Sequence, residues 1–410
     1  MKQRPQTIEP DSRLRVAPEM DGAQAGVFPE PQGIDCQQSV IASAQQGKRN
    51  GLGASNGKSE ETAEKTAEKT VEKTVGVPRI GRRISRRSLA QKIGLACAGM
   101  GLGVGTGTAG PAVALPLVPD EPDPSDLLRI AFVGDIMLDG GPGHWISLGK
   151  DPFARCREIL DQADLRIGNL ECVLGSQGER QSKPYVFRGA GGSAKFLKPV
   201  FDAVGLANNH TLDYGPDGLM GCIAELKKEG IPYFGGGKNI QRSRKPLVLE
   251  KKGRRIGLLG FNEFFAEDYA AGEERPGNNP LERTALLDDI RLCRDRLRCD
   301  VVLPFLHWGE EMEMQPREDQ RTLAKECIDA GASAVIGAHP HVAQTIDLYH
   351  GRPIVYSLGN FVFDYFAGDQ EVSLGWIATL EIDPAGHVDL RLDAVTMDAA
   401  GIPSLVVPDV

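Results

Sequence analysis

From residue 126 to its end, the sequence predicts a layered α/β domain with mixed sheets. Three observations predict it. Short apolar runs alternate with helical stretches. Several of those runs end in a polar cluster. Hairpin pairs crowd the C-terminal third, as mixed sheets require. The other ends of the composition range are excluded: with 41% hydrophobic and 25% charged residues among 410, the chain is neither collagen-like, coiled-coil nor wholly disordered. A net charge of −9 argues against a nucleic-acid partner, which selects a basic surface.

The elements follow in order. Residues 127–133 form an apolar run of strand length ending at Gly134-Asp135. Asp151-Pro152 supplies an N-cap and a proline at the first helical position, which predicts a helix to about Gln162. Residues 165–167 read as a strand into Gly168-Asn169-Leu170-Glu171, and residues 203–207 as a strand into Asn208-Asn209-His210. A helix is expected over 218–230 with a glycine stop. Residues 246–250 and 255–261 flank a Lys-Lys-Gly-Arg turn as a hairpin. Residues 301–306 lead into His307-Trp308-Gly309, residues 315–330 form a helix stopped by Gly331, and residues 334–336 lead into Gly337-Ala338-His339-Pro340-His341. Two further hairpins follow, 345–348 with 353–357 and 374–382 with 388–396. Residues 126–410 can be one domain of this class.

The first third has another character. Residues 1–79 carry few large apolar residues and a Thr-Ala-Glu-Lys repeat over 61–74. Such a segment buries too little apolar surface to offset its chain entropy and is expected to be disordered. Five arginines, Arg79, Arg82, Arg83, Arg86 and Arg87, then precede an apolar stretch with seven glycines between Gly94 and Gly110, followed by Ala112-Val113-Ala114. A basic region, a modest apolar region and a small-x-small site are the parts of a secretory signal. Ser85-Arg86-Arg87-Ser88-Leu89-Ala90-Gln91-Lys92 resembles the twin-arginine export pattern. Residues 80–114 are therefore expected to direct export to the periplasm or cell envelope, and the Pro-rich residues 115–125 to be a linker. The stretch is too glycine-rich for a strong membrane anchor.

The chemistry sits in the loops after the strands, where open α/β sheets bind ligands. There the sequence places Asp135, Asn169, Glu171, Asn209, His210, His307, His339 and His341. Four of the chain's seven histidines fall in these loops. Imidazole with carboxylate suits Mn, Fe, Zn or Co, so a centre of divalent metal ions is expected. Lys183 and Arg188 stand beyond the Glu171 loop, and Arg188 is a candidate to hold a carboxylate or phosphate bidentately; an ordinary surface arginine is the alternative. Glu310 and Glu311 are candidates for a base or for partners of the histidines. Phe361, Phe363 and Phe366 are expected to fill the core. No CxxC occurs among the eight cysteines, which excludes a zinc ribbon or a thioredoxin-type motif. Cys293 and Cys299 flank a helix end and are candidates to pair in an exported protein; core packing is expected for most of the others.

These segments also carry a family resemblance. Phe132-Val-Gly-Asp-Ile-Met-Leu138, Gly168-Asn-Leu-Glu171, Ala207-Asn-Asn-His210, His307-Trp-Gly-Glu-Glu311, Gly337-Ala-His-Pro-His-Val342 and Tyr356-Ser-Leu-Gly-Asn-Phe-Val-Phe-Asp364 resemble, in order and spacing, the motifs of the bacterial capsule synthesis family CapA (PGA_cap). The resemblance runs from about Arg129 to Asp364. It implies a role in making or exporting poly-γ-glutamate capsule, with an anionic polymer or phosphoester as substrate and a membrane capsule synthetase complex as partner. It implies a fold similar to the calcineurin-like metallophosphatases, a four-layer sandwich of two mixed sheets flanked by helices. By the same resemblance, two divalent ions would be held by Asp135, Glu171 (Asn169 competing for that place), Asn209, His307, His339 and His341. His210 would assist the leaving group. Apart from the resemblance, Lys183 and Arg188 are the residues expected to meet substrate. Two departures stand out. Metallophosphatases usually carry His two residues after the first Asp, where this chain has Met137; the second motif, usually Asp, is here Asn-Leu-Glu. The implied activity is metal-dependent hydrolysis of a phosphoester or an amide; an envelope phosphoesterase without a capsule role and a non-catalytic polymer-binding factor are the alternatives.

Overall fold

The computed structural model describes residues 15–16, 123, 125–364 and 372–406. The expected disordered extension, apart from Arg15–Val16, the export segment 80–114, nearly all of the linker and Phe366 lie outside the described residues. Arg15–Val16 depart from that expectation. They form a short strand, β1, antiparallel to an edge strand at Leu249 and Glu250, where unpaired backbone groups invite a partner.

Two mixed sheets make the body. One has the order β17-β16-β15-β2-β3-β4-β5, and the other β1-β7-β8-β10-β11-β13-β12. In the first, β2 (Leu128–Ile136), β3 (Leu165–Leu170), β4 (Ala203–Gly205) and β5 (Tyr233–Phe234) run parallel, and β15 (Leu374–Ile382) pairs antiparallel on the far side of β2. Beyond β15 lie β16 (Val388–Met397) and β17 (Pro403–Leu405). In the second, β8 (Arg254–Asn262), β10 (Val301–His307), β11 (Val335–Ala338) and β13 (Arg352–Val355) are parallel. Hairpin partners β7 (Leu247–Lys251) and β12 (Ile346–Tyr349) flank them.

Three apolar clusters separate four layers. Leu128, Ile130, Phe132, Leu258, Phe305 and Ile336 meet between the two sheets, where the rings of Phe132 and Phe305 pack edge to face at 5.7 Å. Each sheet is therefore buried on that face. On the outer face of the first sheet, Leu197, Leu219, Ile223 and Leu226 pack against Ile136 and Val204. On the outer face of the second, Leu286, Ile290, Ala324 and Cys327 pack against Leu259 and Val302. Leu197 closes the short α3 (Ala194–Leu197), and the longer helices responsible are α4 (Gly215–Lys228), α7 (Arg283–Asp295) and α8 (Glu318–Ala330). Their apolar residues recur at helical spacing, as a helix covering a sheet requires. The expected sandwich of two mixed sheets flanked by helices is the one observed.

Local departures have local causes. The helix expected over 151–162 is a 3₁₀ turn, Ala154–Cys156, followed by a short α2, Arg157–Leu160. Asp151 accepts from the Phe153 N–H at 2.9 Å in the turn before it, but the N-cap position falls on Phe153, which offers no side-chain cap. Phe153 and Cys156 are both fully buried, and a 3₁₀ turn stacks residues three apart on one side. An unexpected helix, α1, covers Gly140–Ser147, with Asp139 accepting from its first N–H. Gly141 N–H donates to Asp364 from the far end of the domain, so a glycine-rich segment of poor helix propensity is held by a distant carboxylate.

Registry brings the loop residues together. Asp135 pairs with Asn169 and Asn169 with Gly205 across β2, β3 and β4, while Asn262, His307 and Ala338 align across β8, β10 and β11. A register shift between Val133 and Asp135 turns the end of β2, the usual effect of a bulge near a site. Gly134 is required there: a Cβ would lie 1.8 Å from the Gly359 carbonyl oxygen.

Candidate metal centre

Asp135 ends β2, fully buried. Its Oδ1 accepts from Asn169 Nδ2 at 2.7 Å, and its Oδ2 from the His339 N–H at 3.3 Å. Oδ2 also lies 3.4 Å from His341 Nδ1. One carboxylate thus ties the first sheet to the His339-Pro340-His341 turn of the second. That turn is held against steric preference: His339 and His341 have φ of 100° and 59°, a region that costs L-residues energy and recurs at functional sites.

His307, at the end of β10, is the hub. Its Nε2 is 2.9 Å from Asn209 Oδ1, 3.1 Å from His339 Nδ1 and 3.5 Å from Glu171 Oε1. Its Nδ1 faces Asn169 Nδ2 at 3.2 Å, an amide donor, so in the neutral ring the proton sits on Nε2, toward Asn209 Oδ1. Asn169 Oδ1 accepts from Asn208 Nδ2. Asn169 is thereby spent on orienting Asp135, His307 and Asn208, and Glu171 is the residue free to act as ligand.

Glu171 is fully buried; no N–H reaches either carboxylate oxygen, and the equally buried Asp135 carboxyl is near enough to share a proton with it. Burial, then the neighbouring Asp135, hold its carboxyl well above the usual carboxylate range. Burial likewise raises Asp135, against the opposing pull of His341 and Asn169. Burial holds His307 and His339 well below the ordinary imidazole value, and the other imidazoles push the same way. Glu171, His339 and His341 offer one donor atom each within 4.8 Å of one another. Buried acceptors without donors, among imidazoles kept neutral, are costly unless a cation joins them. The residues present fit a divalent ion, and imidazole, carboxylate and amide oxygen together favour Mn, Fe, Co or Zn.

His210 stands beside this set. Its Nδ1 lies 2.7 Å from Asp213 Oδ2, and its ring packs on Phe187 at 4.3 Å. Burial lowers its pKa, the Asp213 hydrogen bond opposing. Asp213, itself fully buried, also accepts from the Phe187 N–H at 2.6 Å and pairs with Lys183 Nζ at 2.5 Å. Lys183 donates as well to the Asn209 carbonyl at 2.8 Å. Lys183 thus belongs to the framework under His210 and Asn209.

Arg188 is placed elsewhere. Its guanidinium donates to the carbonyls of Gly175 and Gln177, both at 2.8 Å, and lies 3.5 Å over the Tyr214 ring. Those bonds fasten a loop and engage both terminal nitrogens of the guanidinium. Glu311 is exposed, on a turn whose Met312 N–H donates to the Pro340 carbonyl. Its charge reaches Glu171 and His210. Met137 is buried core, its sulfur taking the Asp139 N–H at 3.1 Å. Cys293 and Cys299 are free thiols, as are Cys156, Cys172, Cys222 and Cys327, and all six are buried.

Sequence reasoning passed over Asn208, Asp213, Glu263 and Phe264. Glu263 accepts from the Gly309 N–H and from Arg317, and Phe264 lies 3.8 Å from the His339 ring. Asp213 had a signal: it falls one helical turn after His210, the spacing at which side chains meet.

The family profile described as bacterial capsule synthesis protein PGA_cap matches residues 129–365. The chain is 33% identical over 249 residues to the PGA biosynthesis protein CapA of Bacillus subtilis (strain 168), covering 58% of this chain and 64% of that protein. It is 39% identical over 249 residues to the capsule biosynthesis protein CapA of Bacillus anthracis, covering 58% and 61%. It is 28% identical over 228 residues to a probable polyglutamine synthesis accessory protein of Mycobacterium tuberculosis, covering 52% and 60%. In each case the match spans less than two thirds of the relative's own length.

Proposed function

The chain belongs to the PGA_cap family of bacterial capsule synthesis proteins, and on that premise we propose that it serves poly-γ-glutamate capsule biosynthesis at the cell envelope as a metal-dependent hydrolase. The observation that carries the hydrolase reading is the Glu171 carboxylate, buried without a donor against three imidazoles. Two divalent ions, Mn, Fe, Zn or Co, would be held by Asp135, Glu171, Asn209, His307, His339 and His341. When bound, they supply a Lewis acid for the attacked phosphoester or amide and lower the pKa of water.

The chain's own residues do the rest. Asp213 holds His210 through Nδ1 and leaves Nε2 as the atom that takes a proton and hands it to the leaving group. Lys183 pairs with Asp213 on the side away from the imidazole and holds the carboxylate in place, which keeps the imidazole aimed. Phe187 and Phe264 cover His210 and His339 and exclude water from their faces. The substrate class is an anionic polymer or its phosphoester precursor, and the partner a membrane capsule synthetase complex. Export through residues 80–114 is part of the proposal; changing Arg86 and Arg87 to Lys would retain the protein in the cytoplasm, and export of that variant at the normal level would refute it.

The test is hydrolysis by the full chain of a phosphodiester, a phosphomonoester and poly-γ-glutamate, with each metal supplied. Turnover that disappears in His210→Ala while metal stays bound supports the reading. A second reading has its own observation: Met137, where a ligand histidine is usual, is committed to the core. On it, the fold binds polymer or helps assembly without turnover, and His210→Ala leaves capsule formation intact.

A further inference from the structure

Asn360 belongs to the Tyr356–Asp364 motif, to which the proposed reaction assigns nothing. It lies on β14 (Asn360–Val362), which pairs in parallel with β2 and sets Asn360 opposite Asp135. The side chain is buried, so each of its polar atoms has to be accounted for.

Its amide nitrogen donates to two carbonyls, of His341 at 3.3 Å and of Val372 at 3.1 Å. Turning the amide over would aim its oxygen at both. Its orientation is therefore fixed, and Oδ1 faces His341 Nδ1 at 2.8 Å, closer than the Asp135 Oδ2 that stands 3.4 Å from the same nitrogen. An amide oxygen can only accept. In a neutral imidazole the proton must then sit on Nδ1, and Nε2 carries the lone pair.

We propose that Asn360 is the positioning residue that fixes His341 as its Nδ1–H tautomer, so that His341 meets a divalent cation through Nε2. His339, two residues earlier, directs its Nδ1 at His307 Nε2, whereas His341 has its Nδ1 turned to Asn360. Ligand histidines commonly give their second N–H to a carbonyl or carboxylate, which fixes ring and tautomer. The inference rests on the metal reading above.

The test uses the full chain with ring-¹⁵N-labelled histidine, metal-free and near neutral pH, the His341 signals assigned by their loss in His341→Gln. The expected result is a single Nδ1–H tautomer for His341, a measurable Nε2–H share in Asn360→Leu, where Asp135 is the acceptor left beside Nδ1, and a fall of about 10–100-fold in Mn or Zn affinity in that variant. Its metal-free Tm is recorded alongside. An Nε2–H tautomer in the wild-type chain overturns the proposal without any variant, even if Asn360→Leu fails to fold. Unchanged affinity in a folded Asn360→Leu overturns it too. A wild-type chain that binds no divalent cation overturns the metal reading first, and this one with it.

Discussion

The His210 imidazole and the Asp213 carboxylate, three residues apart on one turn, meet at 2.7 Å with both side chains buried. Asp213 is further held by Lys183 and the Phe187 N–H, so the pair is rigid before any substrate arrives. His210→Ala is expected to lower hydrolysis by about 10²–10⁴-fold with metal content unchanged. Asp213→Asn keeps the shape and loses the charge, and should fall between that variant and wild type. Comparing kcat with bound metal in both variants checks this; loss of metal in His210→Ala would show a ligand role instead.

Glu171→Leu separates stability from function. The wild-type carboxyl is buried without a donor, and removing it relieves a cost of about 1–3 kcal/mol. The metal-free variant should melt higher than metal-free wild type and bind no cation. Thermal melts with and without metal test it. A variant that melts lower when metal-free would mean that Glu171 has a stabilising partner in the folded chain.

Arg188→Ala should lower Tm and leave KM unchanged, since its guanidinium fastens the carbonyls of Gly175 and Gln177. A KM that rises with Tm preserved would return Arg188 to the substrate.

Acid should weaken the metal-free protein. Burial lowers the pKa of His210, His307, His339 and His341 from 6.5. Unfolded imidazoles take up protons near that value and the folded ones do not. Their contribution is therefore intact above about pH 6.5 and lost as pH falls toward the folded values. Asp135 and Glu171, raised by burial, act in the opposite sense, favouring the fold in acid and losing that effect as pH rises through their folded values. Tm should fall between about pH 7.5 and 5.5, and more steeply in Glu171→Leu, which lacks one opposing carboxyl. A flat profile in that variant would contradict the assignment.

Much of this site was legible because its residues end predicted strands. An apolar run that stops at Asp135, at His307 or just before His339 marks a sheet edge by itself, and parallel strands bring such edges together. What escaped depends on contacts between distant segments. The α1 segment is glycine-rich and helical because Asp364 bonds to it from some 220 residues away. Arg188 looks like an anion binder until its carbonyl partners are seen. Asn360 reads as one polar residue in an apolar run, and only the pairing of β14 with β2 puts it beside His341. The choice between Asn169 and Glu171 was likewise open in the sequence, and only the folded chain shows Asn169 occupied by hydrogen bonds to Asp135 and Asn208.

The central claim is that Glu171 and the imidazoles around it hold divalent metal. The most direct measurement is elemental analysis of the full chain, purified without chelator and after supplementation with Mn, Fe, Zn and Co in turn, beside Glu171→Gln. The account predicts about two ions per chain and their loss in the variant. A wild-type chain without metal under every supplement, or a Glu171→Gln variant that retains the wild-type content, would contradict it.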